Sequence, residues 1–436
     1  MQMTYSEVIT QIENKKRFGN LAGVEIAGRM LKVLGNPQSG MRVIHIAGTN
    51  GKGSVSAFLC EILRAAGFRT GMFTSPHLVD FRERIRVDGE MIGESAAHRL
   101  GEALLSQEFG VHPTMFDYCL AMALLYFKEQ KCDVIILETG LGGRLDSTNA
   151  VGVPDVSVIT RIGYDHTAIL GESLAEIAAE KAGILKRGTA LVVERQEASA
   201  RSVILAAAKE AGVGAIAAVD EREIWNCGLE DGEQIFSFGE YEALRMRMLG
   251  VHQYENAAAA ILAAEAFVEK AGIFVPRVTQ GGKGSAFAPK LLECSVRRGI
   301  YAARWPGRME VLSKCPFLMV DGAHNSSGVE ALGESLMALF PGEKFHFIMG
   351  VMADKDYEEM IEVILPLALD FQAVTVESSR ALKARELAAC VARRGVPAVC
   401  AENVAACIAP GRLDMQAKTV AFGSLYFVGE IERLFL

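Results

Sequence analysis

Over residues 41–193 the chain alternates short β-branched, apolar runs with helical stretches, and this rhythm restricts the fold more than any other feature. Met41–Ala47, Arg69–Phe73, Asp133–Leu137, Val156–Thr160 and Ala190–Val193 read as buried strands, each followed by a glycine-rich turn or a polar loop. Such alternation implies an α/β fold with a mostly parallel sheet and helices on both faces. The rhythm breaks over 281–299, where Gly281-Gly-Lys-Gly-Ser285 has no preceding strand and reads as a loop. Arg304-Trp-Pro-Gly-Arg308 then reads as an ordered turn. A second alternation runs through Phe317–Val320, Phe345–Met349, Ala373–Val376 and Thr419–Phe422. Two domains are therefore expected, residues 1–299 and a smaller α/β domain over residues 300–436. At 436 residues the chain is long enough for both, since a domain usually takes ~100–200.

Charge and cysteine usage narrow the partners. A formal charge of −8 argues against an electrostatic grip on nucleic acid or anionic lipid, so neither partner is expected. Any bound phosphate must be met locally, by backbone N–H groups, a few cations and a metal. The opening MQMTYSEVITQIENKK is charged and amphipathic and lacks the apolar core of a signal peptide. The longest apolar run, Tyr118–Phe127, is far shorter than the ~20 residues of a spanning helix. Nine scattered cysteines without a C-x-x-C pair read as reduced residues of a cytoplasmic protein.

Met41–Ala47 leads into Gly48-Thr-Asn-Gly-Lys-Gly-Ser54 and then into a helical stretch, Val55–Ala66. Phosphate binding needs this strand, glycine loop and helix in this order. Gly48, Gly51 and Gly53 let the backbone approach an anion, the helix N-terminus offers unpaired N–H groups, and Lys52 adds a point charge. Ser54 can offer a hydroxyl to Mg²⁺ or to a phosphate oxygen. The match to G-x-x-x-x-G-K-[ST] is imperfect, with Ile46 in the place of the first glycine and Gly53 between Lys52 and the serine. An ordinary glycine turn is the alternative, but it gives no reason for a lysine inside the loop.

Asp133–Leu137 ends in Glu138, and an acidic residue at the carboxyl end of a neighbouring strand sits where a nucleoside triphosphatase holds Mg²⁺. The next strand delivers Asp165-His166 to the same rim. His166 reads either as a satisfied structural residue or as a metal ligand, though Mg²⁺ prefers oxygen donors. Ser173-Leu-Ala-Glu176 is a capping box that opens a helix. Leu174, Ala178, Lys181 and Leu185 then follow at helical spacing, which puts a lysine in the apolar stripe. Lys181 is either a snorkelling side chain or a desolvated neutral amine. Such an amine can take up CO₂ as a carbamate, an anionic ligand for a second Mg²⁺.

Taken with Thr74-Ser-Pro-His-Leu78, Glu138-Thr-Gly-Leu-Gly-Gly-Arg-Leu-Asp146, Glu180-Lys-Ala-Gly-Ile184, His252-Gln-Tyr-Glu-Asn256, Pro306-Gly-Arg308 and Asp321-Gly-Ala-His-Asn325, these motifs span nearly the whole chain. In this order they resemble the folylpolyglutamate synthases, often bifunctional with dihydrofolate synthase, of the Mur ligase superfamily. The resemblance implies a P-loop-type domain followed by a smaller Rossmann-like, glutamate-ligase-type domain. It also implies ATP-dependent addition of L-glutamate to folates and dihydropteroate. Gly48, Thr49, Asn50, Gly51, Lys52, Gly53 and Ser54 would cradle the ATP phosphates. Asn256, Arg308 and Asp321 would contact the nucleotide, with His324 near the reacting centre. Ser75, Glu138 and His166 fall on the family's Mg²⁺ ligands, and Lys181 on its carbamylated lysine. Lys52, Lys181, Asp321 and His324 thus form the implied catalytic set.

For the substrate, Ser75–Arg84 falls on a mobile loop, with Pro76, His77 and Arg82 as contacts. Thr114, Met115, Phe116 and Asp117 would line the dihydropteroate site together with Leu145, Asp146 and Ser147. Met115 and Asp117 depart from the aromatic-glutamate wording usual there, a difference that bears on the dihydropteroate half of the activity. Ser424 would lie near the incoming glutamate. A monomer is the expected state. The nearest rival reading is another Mur-type ligase acting on a peptidoglycan precursor. A nucleotide-gated switch is a different class, but it needs N-K-x-D, and Ala353-Asp-Lys-Asp356 lacks the asparagine.

Overall fold

The computed structural model describes residues 3–16, 21–272, 292–409 and 411–435, so Gly281–Ser285 lies outside the described residues. Eight strands form the larger sheet: β1 (Val43–Ala47), β2 (Thr70–Phe73), β3 (Ile85–Val87), β4 (Glu90–Met91), β5 (Val134–Glu138), β6 (Val156–Ile159), β7 (Ala190–Val193) and β8 (Ala215–Ala218). Their order is β4-β3-β2-β5-β1-β6-β7-β8. Pairing is parallel from β2 through β8, and β3 and β4 add an antiparallel edge. Every residue of β1, β2, β5 and β6 is buried, as strands covered on both faces require.

The strand order decides where a ligand can sit. From β1 the chain crosses to β2, returns to fill the gap with β5, and only then passes to the other flank of β1 with β6. Ile46 therefore pairs with Glu138 on one side and Val158 on the other. The carboxyl ends of β1, β5 and β6 open together at this change of direction, the place where α/β sheets leave a crevice. Val43, Phe73, Ile135 and Leu137 pack with helices Tyr5–Glu13, Gly23–Val33, Glu94–Leu105 and Met115–Glu129 in one core. Ala47, Ile159, Leu191 and Val193 pack with helices Leu174–Ala182 and Ala198–Ala211 in another.

A three-stranded sheet of β9 (Ile224–Glu230), β10 (Glu233–Phe238) and β11 (Tyr241–Met246) is not anticipated in the sequence. Six of the seven β9 residues are exposed, so no apolar periodicity marks it.

Another sheet holds β12 (Glu310–Lys314), β13 (Phe317–Asp321), β14 (Phe345–Met349), β15 (Ala368–Ala373), β16 (Ala398–Cys400) and β17 (Lys418–Phe422). The order is β12-β13-β17-β14-β15-β16, with β12 antiparallel and the rest parallel. The strand expected at Ala373–Val376 lies earlier, because the pairing with β14 runs from Ala368 to Ala373. Val374 and Val376 are buried beyond the strand end, so burial alone mimicked a strand there. Phe347 packs on Phe345, Phe371 and Phe422 with ring centroids 5.3–6.0 Å apart at the centre of this core.

By compactness the chain divides into two units. One comprises Met1–Gly228, Ile235–Met246 and Glu255–Arg304, and the other Leu229–Gln234, Arg247–Tyr254 and Trp305–Leu436. Among the described residues no helix is long and apolar enough to cross a membrane.

Candidate active site

The loop after β1 is held by the strand beside it. Arg161 O accepts the N–H groups of Thr49 and Asn50 at 3.0 and 3.3 Å. Thr160 Oγ1 donates to Asn50 O at 2.6 Å, and Thr49 Oγ1 exchanges hydrogen bonds with Gly163 at 3.0 Å. Gly51 caps helix Lys52–Ala65 in the left-handed region, at φ +90°. A Cβ at Gly51 would lie 2.4 Å from Asn256 Oδ1, so only glycine fits between the loop and that side chain. Gly51→Ala is accordingly expected to weaken ATP binding by about tenfold or more, with the fold retained. Titration with ADP against the wild type checks this, and unchanged affinity would refute it.

Lys52 folds back over its loop, donating to Gly48 O and Thr49 O, each at 3.1 Å. Its ammonium is 4.0 Å from the Glu138 carboxylate. Glu138 ends β5, is only 4% exposed, and accepts the Ser75 N–H at 3.2 Å. The ends of β1, β2 and β5 thus bring Lys52, Ser75 and Glu138 together.

Lys181 joins them from helix Leu174–Ala182. Ser173 and Glu176 form the anticipated capping box, and the lysine is buried in the stripe. Its Nζ donates to Gly48 O at 2.7 Å, the carbonyl that Lys52 also reaches. Two ammonium groups therefore converge on one carbonyl. Burial, reinforced by the Lys52 charge, pushes the Lys181 pKa down to about 7, and Asp165 and Asp146 only partly oppose this. A lysine in this setting is readily neutral, whereas a snorkelling side chain would keep its charge in water.

His166 sits at the N-cap of helix Thr167–Leu170 with φ +52°, an uncommon conformation for a non-glycine residue. Its imidazole is 44% exposed and 3.9 Å from the Asp165 carboxylate. Among the described residues, no three His, Cys, Asp or Glu side chains are grouped so as to hold a metal ion.

The two segments assigned to dihydropteroate meet directly. Asp117 Oδ2 accepts from the Thr114 N–H and hydroxyl at 2.8 and 2.7 Å, and Oδ1 accepts from Ser147 Oγ at 2.6 Å. Asp117 is thus occupied in joining them. Asp146 is buried, which raises its pKa, and accepts the Gly140 and Leu141 N–H groups, each at 2.9 Å. Phe116 lies against Gly140 and Phe73, Leu145 is exposed, and Met115 begins the helix. In the Ser75–Arg84 segment, Glu83 accepts N–H groups from Leu78, Val79 and Asp80 at 2.6–2.9 Å. Arg82 pairs with Asp80, while Arg84 Nε donates to His77 Nδ1 at 2.8 Å. Pro76 follows Ser75 through a cis peptide bond.

In the other unit, Asp321 ends β13 and is 5% exposed. It accepts the N–H groups of Met309 at 2.9 Å and Ala323 at 2.8 Å. A Cβ on Gly322 would strike the Arg308 guanidinium at 1.9 Å, so the arginine is close against that backbone. His324 Nδ1 is 2.7 Å from Gly322 O, which can only accept, so Nδ1 carries the proton. The Ser424 hydroxyl accepts the Tyr426 N–H at 3.2 Å and is 2% exposed, which gives this residue a helix-capping role in the fold.

The Mur ligase middle-domain model matches residues 46–264, and the Mur ligase glutamate-ligase-domain model matches 307–421. The chain is also 37% identical over 400 residues to the dihydrofolate synthase/folylpolyglutamate synthase of Bacillus subtilis, covering 89% of each. The chain belongs to the folylpolyglutamate synthase family of Mur ligases. Among solved members, Mycobacterium tuberculosis folylpolyglutamate synthase complexed with ADP aligns with a TM-score of 0.86 at 29% identity, over 99% of each chain. An FPGS–AMPPCP–folate complex aligns at 0.83 and 30% identity over the full length of both. Within this synthase fold, sequence reasoning overlooked Thr160, Arg161 and Gly163, whose backbone and hydroxyl groups hold the glycine loop. It also overlooked Glu194 and Gln196 behind them. Only the position of Glu194, one residue past a strand end like other site acids, could have drawn attention to it.

Proposed function

We infer that this protein is an ATP-dependent ligase that joins L-glutamate to folates and to dihydropteroate through an acyl phosphate. The observation carrying this reading is the convergence of Lys52, Lys181 and Glu138 on the glycine loop, in a chain whose relatives are folylpolyglutamate synthases.

A carboxylate is a poor acylating agent, so its oxygen first takes the γ-phosphoryl group of ATP and ADP departs. That transfer demands charge neutralisation and in-line positioning more than covalent help from the protein. The loop N–H groups and Lys52 supply charge neutralisation at the phosphates, and the family resemblance assigns Asn256, Arg308 and Asp321 to the nucleotide. The glutamate α-amine then attacks the acyl carbon, and phosphate leaves from the tetrahedral intermediate. Asp321 and His324 are the groups assigned to this reacting centre.

The donors present suit Mg²⁺, because the buried Glu138 carboxylate and the Ser75 residue beside it offer hard oxygen. Ser75, Glu138 and His166 would hold one ion and a Lys181 carbamate a second. Bound there, Mg²⁺ would neutralise charge on the phosphate oxygens. Thr114–Asp117 and Leu145–Ser147, joined through Asp117 and Ser147, would seat the pterin-bearing substrate. The reading includes a cytoplasmic monomer, in keeping with nine free thiols and a net charge of −8.

Phosphate release from ATP in the presence of glutamate tests the reading, with dihydropteroate, tetrahydrofolate and a muramyl precursor compared side by side. Release is expected with tetrahydrofolate and dihydropteroate. Turnover with the muramyl substrate alone would overturn the folate assignment.

A further inference from the structure

The loop that carries Lys52 is attached to the 160–163 turn, and that turn is in turn held from behind. Glu194 follows β7 directly, is 4% exposed, and its Oε2 accepts the Arg161 N–H at 2.7 Å. Gln196 closes the same turn from both sides, its Oε1 accepting the Ile162 N–H at 2.9 Å and its Nε2 donating to Thr160 O at 3.0 Å. Arg195, between them, pairs with Glu255, the neighbour of Asn256. Three consecutive residues thus reach the two segments that border Gly51, namely the turn and the start of the Asn256 helix.

We propose that Glu194, aided by Gln196, is a positioning residue for nucleotide binding. By fixing the Arg161 peptide, it sets the carbonyl that receives the Thr49 and Asn50 N–H groups. This rests on the reading of the loop as the ATP phosphate site. The relay explains a costly feature of the fold. A carboxyl group is buried at a desolvation cost, with its Oε1 lacking a hydrogen-bond partner among the described residues. Desolvation pushes its pKa up to about 8, with Glu255 adding to the rise, so the group is largely neutral at pH 7. A neutral acid of this length is mimicked by glutamine, which keeps an oxygen for Arg161. Aspartate is one methylene too short to reach it.

Glu194→Gln, Glu194→Asp, Glu194→Ala and Gln196→Ala separate positioning from general packing. ADP affinity by calorimetry and KM for ATP are expected to worsen about tenfold in Glu194→Asp, Glu194→Ala and Gln196→Ala. Glu194→Gln should stay within about twofold of wild type, and KM for tetrahydrofolate should stay within about twofold in every variant. Should Glu194→Ala fail to fold, the aspartate and glutamine pair carries the comparison alone. The proposal is overturned if Glu194→Asp binds ADP as tightly as wild type, or if Glu194→Gln is as impaired as Glu194→Asp. Wild-type protein that binds no ADP would instead defeat the ligase reading itself, and this inference with it.

Discussion

Lys52→Ala is expected to reduce glutamate ligation by about a thousandfold or more, and Glu138→Ala by a similar factor, while both proteins remain folded. Lys52 is the only side-chain cation within the glycine loop, and its ammonium lies 4.0 Å from Glu138 and 3.1 Å from two loop carbonyls. Phosphoryl transfer spreads negative charge over the oxygens that this loop encloses, so a fixed cation there acts mainly on the transition state. Its loss should appear chiefly in kcat. Folding asks less of Lys52, since its two carbonyl contacts can be replaced by water in a part-exposed loop. Glu138 is different in kind. Its carboxylate anchors the Ser75 N–H from a buried strand end, so alanine would leave that donor unpaired and Lys52 without its anion. Glu138→Gln keeps the acceptor and removes the charge, and it should be nearly as inactive as alanine but closer to wild type in Tm. Near-normal turnover in Lys52→Ala or Glu138→Ala would refute the assignment.

The parts of this site that were legible in the sequence are those with local signatures. β1 and its loop announce themselves because an apolar run, three glycines and a lysine occur together. Glu138 is legible because it ends such a run, and Lys181 because it interrupts a helical stripe that the Ser173–Glu176 capping box places in register. What stayed hidden depends on contacts between distant segments. Glu194 reads as an ordinary polar residue after a strand until Arg161 is brought against it by the pairing of β6 with β7. The capping of a helix by the Ser424 hydroxyl also shows only in the structure. The β-branched run at Val374–Val376 shows the opposite failure. Its burial is real, but the ladder with β14 has already ended. Strand β9 escapes altogether because it is mostly exposed, and without an apolar face no period is written into its residues.

Lys181→Ala should lower turnover by at least about a hundredfold, and added formate or acetate should restore part of it. The physical case is the crowding of two ammonium groups at Gly48 O. A charged Lys181 would lack water and would also be repelled by Lys52, which is why its pKa falls to about 7. Reaction of the neutral amine with CO₂ forms an N–C bond, releases one proton and replaces the repelled cation with an anion that Lys52 attracts. Carbamate formation therefore needs the neutral amine, and activity in bicarbonate buffer should decline as pH falls below about 7. Stability carries the same sign. Between pH 7 and 10 the unfolded chain binds a proton at Lys181 that the folded chain does not, so folding is favoured as pH rises. In CO₂-free buffer that contribution approaches about 1.4 kcal/mol per pH unit, is lost as pH falls toward 7, and should vanish in Lys181→Met. A short carboxylate can rescue the alanine variant because it would return two anionic oxygens to the place proposed for the carbamate. Full activity of Lys181→Ala without any added carboxylate would show that the chemistry needs no anion at this position, and the carbamate would have to be abandoned.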